Sequence, residues 1–413
     1  MTRTHAPVAP PVALTIAGSD SGGGAGIQAD LQTFAAHGVF GTSVVAATTA
    51  QNTRGVADSH VLPVDHVRAQ YRAVTDDVAL GAVKTGMLAT APVVETVTDL
   101  LGGLDAPTVV DPVMVAASGD RLLSEAAEAA YEDLLARAKL ATPNADEAAV
   151  LAGSAVETPA DARAAGEQIR ETGVDAVLVK GGHLTETDGV VDTLVTGAGV
   201  ERFEHPRVDT RATHGSGCVL SSAVAARLAS GEGLAEAVGG ATAFLERAVR
   251  YGVDVGEGPG AVNPLVDLRD DAAREPTAET TRWLVESLAD PDLRPLVPER
   301  GLSVVGATPH AEEQADVAAV EGRVVRTRGG VTAVGGVRFG TESPAAAALL
   351  EAREADPSLR FGVAVRDATG VERAFADHAT TADLPDGRRC AFAPAPEAVE
   401  RAVAAALADG KTD

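Results

Sequence analysis

A chain of 413 residues has room for two or three domains of ordinary size, and its 45% apolar residues suffice for a sizeable core although only 3% are aromatic. Its formal net charge of −25 disfavours general nucleic-acid binding, because an acidic surface repels the phosphate backbone. No basic-then-apolar leader and no apolar run near ~18 residues is visible, and two cysteines fit a reducing compartment, so we expect a cytoplasmic protein without a membrane segment.

The basic residues are mostly arginines. The four lysines are Lys84, Lys139, Lys180 and Lys411. An acidic, lysine-poor chain with small apolar residues resembles proteins from high-salt cytoplasms, where a Debye length of about 3 Å at 1 M salt screens the self-repulsion. We therefore predict a halophilic, haloarchaeal source. An acidic protein from a GC-rich organism is the alternative.

Short apolar runs alternate with amphipathic stretches through the first 265 residues. Such runs predict buried strands, and apolar residues at helical spacing predict helices. The alternation predicts an α/β fold, a mostly parallel sheet with helices on both faces, in which ligands bind beyond the carboxyl ends of the strands. The predicted strands are 12–18, 44–49, 82–87, 108–114 and 176–182, and the predicted helices are 27–37, 124–139 and a segment with Leu234, Val238, Ala241, Leu245 and Val249 on one face.

The alternation stops near residue 265, so residues 1–265 are predicted to form the first domain. Residues 266–278 are charged, poor in apolar side chains and interrupted by Pro276, which predicts a linker. A smaller α/β domain is predicted over 279–413. Its predicted elements are an amphipathic stretch over 280–288 and 293–298, strands at 323–326, 331–339 and 360–365, and helices at 344–355 and from residue 397 onward.

The segment G-S-D-S-G-G-G-A-G (18–26) follows a predicted strand and opens a predicted helix. Glycines in such a turn let backbone amides approach a ligand closely. The spacing also fits a dinucleotide-binding G-x-G-x-x-G pattern, but Asp30 would then place a carboxylate beside a pyrophosphate. The pattern therefore favours a neutral polar substrate that needs a hydrogen-bond acceptor. A plain strand–helix turn is the alternative.

The segment T-H-G-S-G-C (213–218) precedes another predicted helix. Gly215, Ser216 and Gly217 would present free N–H groups at the positive end of the helix dipole, which predicts an anion hole suited to a transferring phosphoryl group. Cys218 lies in the first turn, where the same field is expected to lower the pKa of its thiol and make the thiolate a base. A role as a small buried apolar residue is equally open for Cys218.

Polar side chains near strand ends complete the predicted chemistry. Asn144 and Glu147 are three residues apart at a helix start and carry oxygen ligands that Mg²⁺ prefers, although a plain helix cap gives the same pattern. Asp111 ends one apolar strand and is a second candidate for the metal–phosphate region. Lys180 ends another, where its charge suits nucleotide phosphates. In a chain with four lysines, Lys84 and Lys180 both stand at a strand end near glycine, which favours a chemical role for both.

Together these segments resemble the ribokinase superfamily and, within it, the hydroxymethylpyrimidine/phosphomethylpyrimidine kinases of thiamine biosynthesis. The resemblance covers residues 12–265, and Cys218, where many sugar kinases carry aspartate, is similar to the pyrimidine-kinase branch. The matching segments are A-L-T-I-A-G-S-D-S-G-G-G-A-G-I-Q-A-D (13–30), A-Q-N-T-R-G (50–55), K-T-G-M-L (84–88), D-P-V-M-V-A-A-S-G-D (111–120), T-P-N-A-D-E (142–147), V-K-G-G-H (179–183), T-H-G-S-G-C (213–218) and G-P-G-A-V-N-P-L (258–265).

The resemblance implies a homodimeric enzyme that transfers the γ-phosphoryl group of ATP to the primary alcohol of the pyrimidine and then to the resulting monophosphate. Its cofactors would be ATP and Mg²⁺, with Asn144 and Glu147 serving Mg²⁺–ATP and Lys180 the nucleotide phosphates. Cys218 would lie at the substrate hydroxymethyl group, beside an anion hole formed by 215–217. The residues implied in pyrimidine binding are Gly18, Asp30, Gln51 and Met87. A pyridoxal kinase and a ligand-sensing regulator on a kinase scaffold are the alternatives.

The second predicted domain resembles the archaeal-type thiamine-phosphate synthase domain. Arg323 matches a catalytic arginine of the active family, but Pro344 stands where that family has a catalytic histidine, and its Gly-Lys-rich C-terminal motif is not visible. We therefore predict no synthase activity. The domain would bind thiamine phosphate or the pyrimidine product as a sensor, or support dimerisation, and a purely structural role is also open. The matching segments are P-E-R-G-L-S (298–303), A-D-V-A-A-V-E-G-R-V (315–324), V-R-F-G-T-E-S-P (337–344) and D-P-S-L-R-F-G-V-A-V-R (356–366).

Overall fold

The computed structural model describes residues 5–114, 125–182, 184, 189–289, 291–328, 330–368 and 370–409. Parts of two predicted motifs, residues 115–120 and His183, lie outside the described residues. The chain divides into two compact units, Met1–Val266 and Asp267–Asp413.

A mostly parallel sheet forms the centre of the first unit. The strands are β1 (Val12–Ala17), β2 (Phe40–Val45), β3 (Ala47–Asn52), β4 (Gly55–Val61), β5 (Ala82–Thr85), β6 (Thr108–Val110), β7 (Leu140–Ala141), β8 (Ala176–Val179), β9 (Gly189–Thr196) and β10 (Gly199–Pro206). The sheet has the order β10-β9-β8-β7-β6-β5-β1-β2, and β3 pairs with β4 in a separate hairpin. The pairings from β2 to β8 are parallel, whereas β9 and β10 are added antiparallel. The predicted sheet is confirmed.

Helices cover both faces of this sheet, as predicted. They are α1 (Gly26–Ala36), α2 (Val64–Thr75), α3 (Ala91–Leu101), α4 (Glu125–Leu135), α5 (Ala145–Ala152), α6 (Pro159–Arg170), α7 (Ser216–Ala229) and α8 (Leu234–Arg250). Alternate strand residues point to opposite faces: Leu14 and Ile16 pack with α2 to α6, whereas Ala13 packs with α1, α7 and α8. Because both faces are buried, the strands read as continuous apolar runs.

The predicted strand 44–49 is in fact two strands. Strand β2 ends at Val45 and β3 begins at Ala47, and the Ala46 N–H between them donates to the carbonyl of Ala17. The hairpin partner β4 was not predicted, because its side chains are almost all exposed and carry no apolar pattern. The hairpin lies next to the glycine segment, since Ser19 N–H donates to the carbonyl of Ala47.

The prediction of a linker at 266–278 is wrong. These residues begin helix α9 (Val266–Ser287). From Asp267 onward the helix is part of the second unit, and its buried face there is partly polar: Asp270 accepts hydrogen bonds from Thr308 Oγ1 at 2.7 Å and from the His310 N–H at 2.8 Å. Hydropathy and charge indicated a solvated segment because Asp270 and Thr277 are among its buried side chains.

The second unit contains an antiparallel sheet in the order β15-β12-β11-β16-β18-β17 and a separate β13–β14 hairpin, built from β11 (Ser303–Ala307), β12 (Val317–Val320), β13 (Arg323–Thr327), β14 (Gly330–Val334), β15 (Val337–Phe339), β16 (Phe361–Arg366), β17 (Thr380–Asp383) and β18 (Arg388–Ala393). Its helices are α10 (Pro344–Ala355), α11 (Val371–Ala376) and α12 (Pro396–Asp409), with 3-10 turns at Pro291–Leu296 and Gln314–Asp316. The predicted strand 331–339 is split at Gly335, whose φ is 105°. Across the described residues, no helix has the length and apolar character needed to cross a membrane.

Candidate active site

Three charged side chains meet at the carboxyl edge of the parallel sheet. Asp111 directly follows β6, Lys180 directly follows β8, and Glu147 lies in the first turn of α5. Lys180 Nζ lies 2.9 Å from Asp111 Oδ1 and 3.8 Å from Glu147 Oε2, and Thr142 Oγ1 donates to the same Asp111 oxygen at 3.1 Å. The structure therefore brings together three residues that were predicted for nucleotide and metal binding.

Asn144 is the N-cap of α5. Its Oδ1 accepts a hydrogen bond from the Glu147 N–H, and Glu147 Oε2 accepts one from the Asn144 N–H, both at 2.8 Å. This reciprocal capping box explains the N-x-x-E spacing by itself. A metal-binding role for the two residues stays a prediction.

The net charge of this cluster depends on whether Glu147 is protonated. Burial raises the pKa of Glu147 to about 7, an effect that Lys180 opposes and Asp111 reinforces. Burial alone would lower the pKa of Lys180, but the facing Asp111 and Glu147 carboxylates raise it above its ordinary value. Above about pH 7, where Glu147 is ionised, two carboxylates face one ammonium group, which favours the binding of a further cation.

The raised pKa of Glu147 predicts a stability that falls as pH rises. The folded protein holds the Glu147 proton up to about pH 7, whereas the unfolded chain releases it near 4.5, so the free energy of unfolding decreases between these values. In Glu147→Gln the glutamine keeps the cap but does not titrate. From pH 5 to pH 8 we expect the free energy of unfolding of the wild type to fall by on the order of 2 kcal/mol relative to the variant, and its Tm to fall accordingly. The exposed Glu167→Gln is the control; parallel Tm curves for Glu147→Gln and wild type would contradict the prediction.

The N-terminus of α7 faces the same cluster. Gly215 is its N-cap, with φ 83°, and a Cβ there would lie impossibly close to the carbonyl oxygen of Gly24, so glycine is required. At Gly217 a Cβ would lie 3.1 Å from Lys180 Nζ and 3.5 Å from Asp111 Oδ2. Gly217, in the first turn, therefore lies beside the lysine, as an anion hole requires, but the Ser216 N–H is not free, because it donates to the carbonyl of Thr213 at 3.2 Å.

Gly217→Ala is expected to lower kcat/KM for phosphoryl transfer about 10²-fold, because the added methyl group occupies the space beside Lys180. The fold should tolerate it, since Gly217 is helical and alanine is the better helix former, so the free energy of unfolding should change by less than about 1 kcal/mol. Steady-state kinetics and thermal melts measure both. Gly103→Ala, where a Cβ meets no atom within 4 Å, is the matched control. Wild-type kinetics in Gly217→Ala would exclude an anion hole at this turn.

Cys218 follows in the first turn of α7 and is partly buried. The Gly26 N–H at the start of α1 faces its sulfur and acts to lower the pKa of the thiol. The expected lowering of the thiol pKa is wrong: burial raises the pKa of Cys218 to about 11, with Lys84 opposing the rise and Asp30 and Asp111 adding to it. Desolvation by the packed core outweighs the helix dipole.

Three of the four residues predicted to bind the pyrimidine lie around the glycine segment. Gly18 N–H donates to the carbonyl of Met87 at 3.0 Å, and a Cβ on Gly18 would meet Met87 Cε at 2.5 Å. Gln51, on β3, has its Nε2 3.4 Å from His214 Nε2. Gly26 lies between this group and the thiol, because its N–H faces Cys218 and a Cβ on it would lie 2.5 Å from the Gly18 carbonyl oxygen.

Asp30 is the fourth residue, and the prediction that it contacts the substrate is wrong. Its side chain has no exposed surface. It is buried against Lys84, with Nζ 2.8 and 2.9 Å from the two carboxylate oxygens, and accepts further bonds from Thr15 and Ser222. Every position at which a ligand would contact the carboxylate is taken by the protein.

Asp20 is a residue that sequence reasoning missed. Its carboxylate accepts hydrogen bonds from the N–H groups of Gly22, Gly24 and Ala25 and lies 3.0 Å from His214 Nε2. These bonds fix the glycine segment and tie it to the anion-hole segment. The sequence signal for this role of Asp20 is an Asp followed by a run of glycines, since Asp side chains commonly accept hydrogen bonds from backbone N–H groups a few residues later.

In the second unit, Arg323 is exposed at the start of β13. Pro344 is the first residue of α10, a position that proline favours because its missing N–H has no helical partner there. The roles predicted for Arg323 and Pro344 stay predictions.

Comparison with known proteins gives two family matches. Residues 20–263 match the phosphomethylpyrimidine kinase family, and residues 281–405 match the family described as thiamine-phosphate synthase ThiN. A hydroxymethylpyrimidine/phosphomethylpyrimidine kinase from Streptomyces coelicolor is 50% identical over 264 residues, which are 64% of this chain and 97% of that protein.

Solved structures agree with a ribokinase-like fold. The ADP complex of Bacillus subtilis pyridoxal kinase has a TM-score of 0.60 at 33% identity and covers 63% of this chain and 99% of its own. The phosphomethylpyrimidine kinase of Clostridium difficile has a TM-score of 0.52 at 38% identity and covers 58% of this chain and 99% of its own. Because the kinase match spans more than half of the sequence, this chain belongs to the phosphomethylpyrimidine kinase family.

Proposed function

We propose that the first unit phosphorylates 4-amino-5-hydroxymethyl-2-methylpyrimidine and then its monophosphate, with ATP as donor, in thiamine biosynthesis. The observation that supports this best is the N-terminus of α7. There Gly217 adjoins Lys180, and the next residue, Cys218, faces the N–H of Gly26 beside Gly18. The residues proposed to bind the phosphates and those proposed to bind the substrate thus meet at one turn of helix, which supports phosphoryl transfer to a small alcohol.

ATP is proposed as the donor because relatives with this fold have been solved with ADP and with AMP-PCP. Lys180 supplies a point charge for the phosphates. Mg²⁺ fits the same place, since Asp111 and Glu147 are buried oxygen ligands with an excess of negative charge. When bound there, Mg²⁺ would neutralise charge on the phosphate oxygens.

In the proposed reaction the hydroxymethyl oxygen attacks the γ-phosphorus in line. The bond from phosphorus to the bridging oxygen breaks and ADP leaves, while N–H groups at the start of α7, that of Gly217 among them, stabilise the charge on the transferring group. The hydroxyl proton passes to the sulfur of Cys218. The negative charge on that sulfur is stabilised by the Gly26 N–H and the charge of Lys84.

Coupled measurement of ATP turnover tests the substrate. We expect hydroxymethylpyrimidine and its monophosphate to be turned over with kcat/KM at least about tenfold above that for pyridoxal, a difference of roughly 1.4 kcal/mol in transition-state binding. Pyridoxal is the second candidate because pyridoxal kinases are among the structures with this fold. A tenfold preference for pyridoxal would overturn the proposal. No turnover with either alcohol would favour the ligand-sensing regulator.

We also infer a homodimer, which rests on the family resemblance. Light scattering at two protein concentrations measures it. A mass near 41.7 kDa at both concentrations would show a monomer.

The second unit is proposed to bind thiamine phosphate or the pyrimidine product without synthase activity. We expect no thiamine phosphate to form from the pyrimidine diphosphate and thiazole phosphate, because Pro344 offers no group that moves a proton. Chromatography of the product measures this, with Arg323→Ala giving the background. Product formed by the wild type above that background would show that the unit is an active synthase.

A further inference from the structure

A buried ion pair lies in the first unit beneath Cys218. Asp30 on α1 and Lys84 on β5 both have no exposed side-chain surface. The carboxylate accepts bonds from Lys84 Nζ on both oxygens, from Thr15 Oγ1 at 2.6 Å and from Ser222 Oγ at 2.7 Å. A single carboxylate therefore joins four elements, α1, α7, β1 and β5.

Asp30 lies on the same face of α1 as Gly26, and Ser222 lies on the same face of α7 as Cys218. On α1, Gly26 precedes Asp30 by four residues, and on α7, Cys218 precedes Ser222 by four residues, so each pair is stacked one turn apart. Helices α1 and α7 pack against each other, and in the upper turn the Gly26 N–H faces the Cys218 sulfur. In the lower turn the Ser222 hydroxyl bonds to Asp30. The lower contact thus fixes the spacing and rotation of the two helices that the upper contact needs.

The pair also provides charge. Lys84 is the group that most favours a negative Cys218, whereas Asp30 and Asp111 act against it, and burial is the largest cause of the raised thiol pKa. Burial alone would lower the pKa of Lys84, but Asp30 raises it well above its ordinary value, so the ammonium group stays charged. A buried pair of this kind adds little stability over apolar side chains of the same size.

We propose that Asp30, Lys84 and Ser222 are positioning residues for the phosphoryl transfer: together they hold Cys218 against the start of α1, and Lys84 stabilises negative charge on its sulfur. This inference rests on the proposed function of the first unit. It assigns Asp30 to the support of the thiol instead of to the substrate. The reactivity of Cys218 distinguishes this positioning role from a role in the stability of the fold alone.

Ser222→Ala and Thr15→Val form a matched pair for the test. Each removes one hydrogen bond to Asp30, but Ser222 alone stands on the helix of Cys218. We expect similar losses of Tm. Ser222→Ala should lower kcat and the rate of Cys218 alkylation by iodoacetamide about tenfold, whereas Thr15→Val should leave both within about twofold. Mass spectrometry of the labelled peptide distinguishes Cys218 from the buried Cys390. Equal kinetic effects of the two variants would overturn the positioning role.

The charge is tested by Lys84→Met together with Asp30→Asn, which removes both charges and so avoids leaving one buried alone. We expect the pH midpoint of Cys218 alkylation to rise and the rate at fixed pH to fall about tenfold, as for a shift of one pKa unit. Lys139→Met, which breaks the exposed pair with Asp175, is the control and should change neither. An unchanged midpoint in the double variant would overturn the electrostatic role. Because alkylation requires no turnover, this result is independent of whether Cys218→Ala abolishes catalysis.

Discussion

Replacing Cys218 by Ala is expected to reduce kcat for phosphorylation of the hydroxymethylpyrimidine about 10³-fold, with KM for ATP within about twofold. The reason is the loss of the group that accepts the hydroxyl proton, while Lys180 and the anion hole remain. The helix should be unaffected, because alanine is a good helix former. Coupled ATP turnover measures the effect, and Cys390→Ala, in the second unit, is the matched control.

The pH dependence gives a second check on the thiol. Because burial raises the pKa of Cys218 to about 11, the thiolate fraction grows about tenfold for each pH unit below that value. We expect kcat of the wild type to rise with pH from neutral to alkaline solution and the residual kcat of Cys218→Ala to stay flat. Unchanged turnover in Cys218→Ala would refute the role of the thiol, whatever the pH profile.

The sequence predicts those parts of the site in which a residue type at a strand end is sufficient. Asp111 and Lys180 each follow a buried strand, and parallel strands end at one edge of the sheet, so their proximity follows from topology. The start of a helix at 215–217 is predictable for a similar reason, because small residues there suit the first turn, and its role as an anion hole stays a prediction. The halophilic source stays a prediction, since composition alone supports it.

Asp30 and Cys218 show where the sequence is insufficient. Helical periodicity gives the face on which Asp30 lies but not the lysine from another strand that packs against that face. For Cys218 the helix dipole can be read from the sequence, whereas the burial that raises the thiol pKa depends on the packed structure. The prediction of a linker over the first part of α9 is wrong for the same reason. Asp270 is buried, and its hydrogen-bond partners Thr308 and His310 lie far along the chain.

Lys180→Met is expected to lower kcat/KM for ATP by about 10³-fold, because the variant loses the point charge that faces the transferring phosphate. It should also lower Tm, since Asp111 and Glu147 remain buried with no compensating cation. Lys139→Met is the matched control: its pair with Asp175 is exposed, and its loss should cost at most about 1 kcal/mol.

The loss of stability and the loss of catalysis can be separated by combining Lys180→Met with Glu147→Gln. Removing one carboxylate lessens the excess negative charge, so we expect Tm to recover toward that of the wild type. Turnover should stay low, because glutamine does not replace the cation at the phosphates. If the double variant instead regained wild-type kcat/KM, the deficit of Lys180→Met would be one of folding, and Lys180 would have no direct part in phosphoryl transfer.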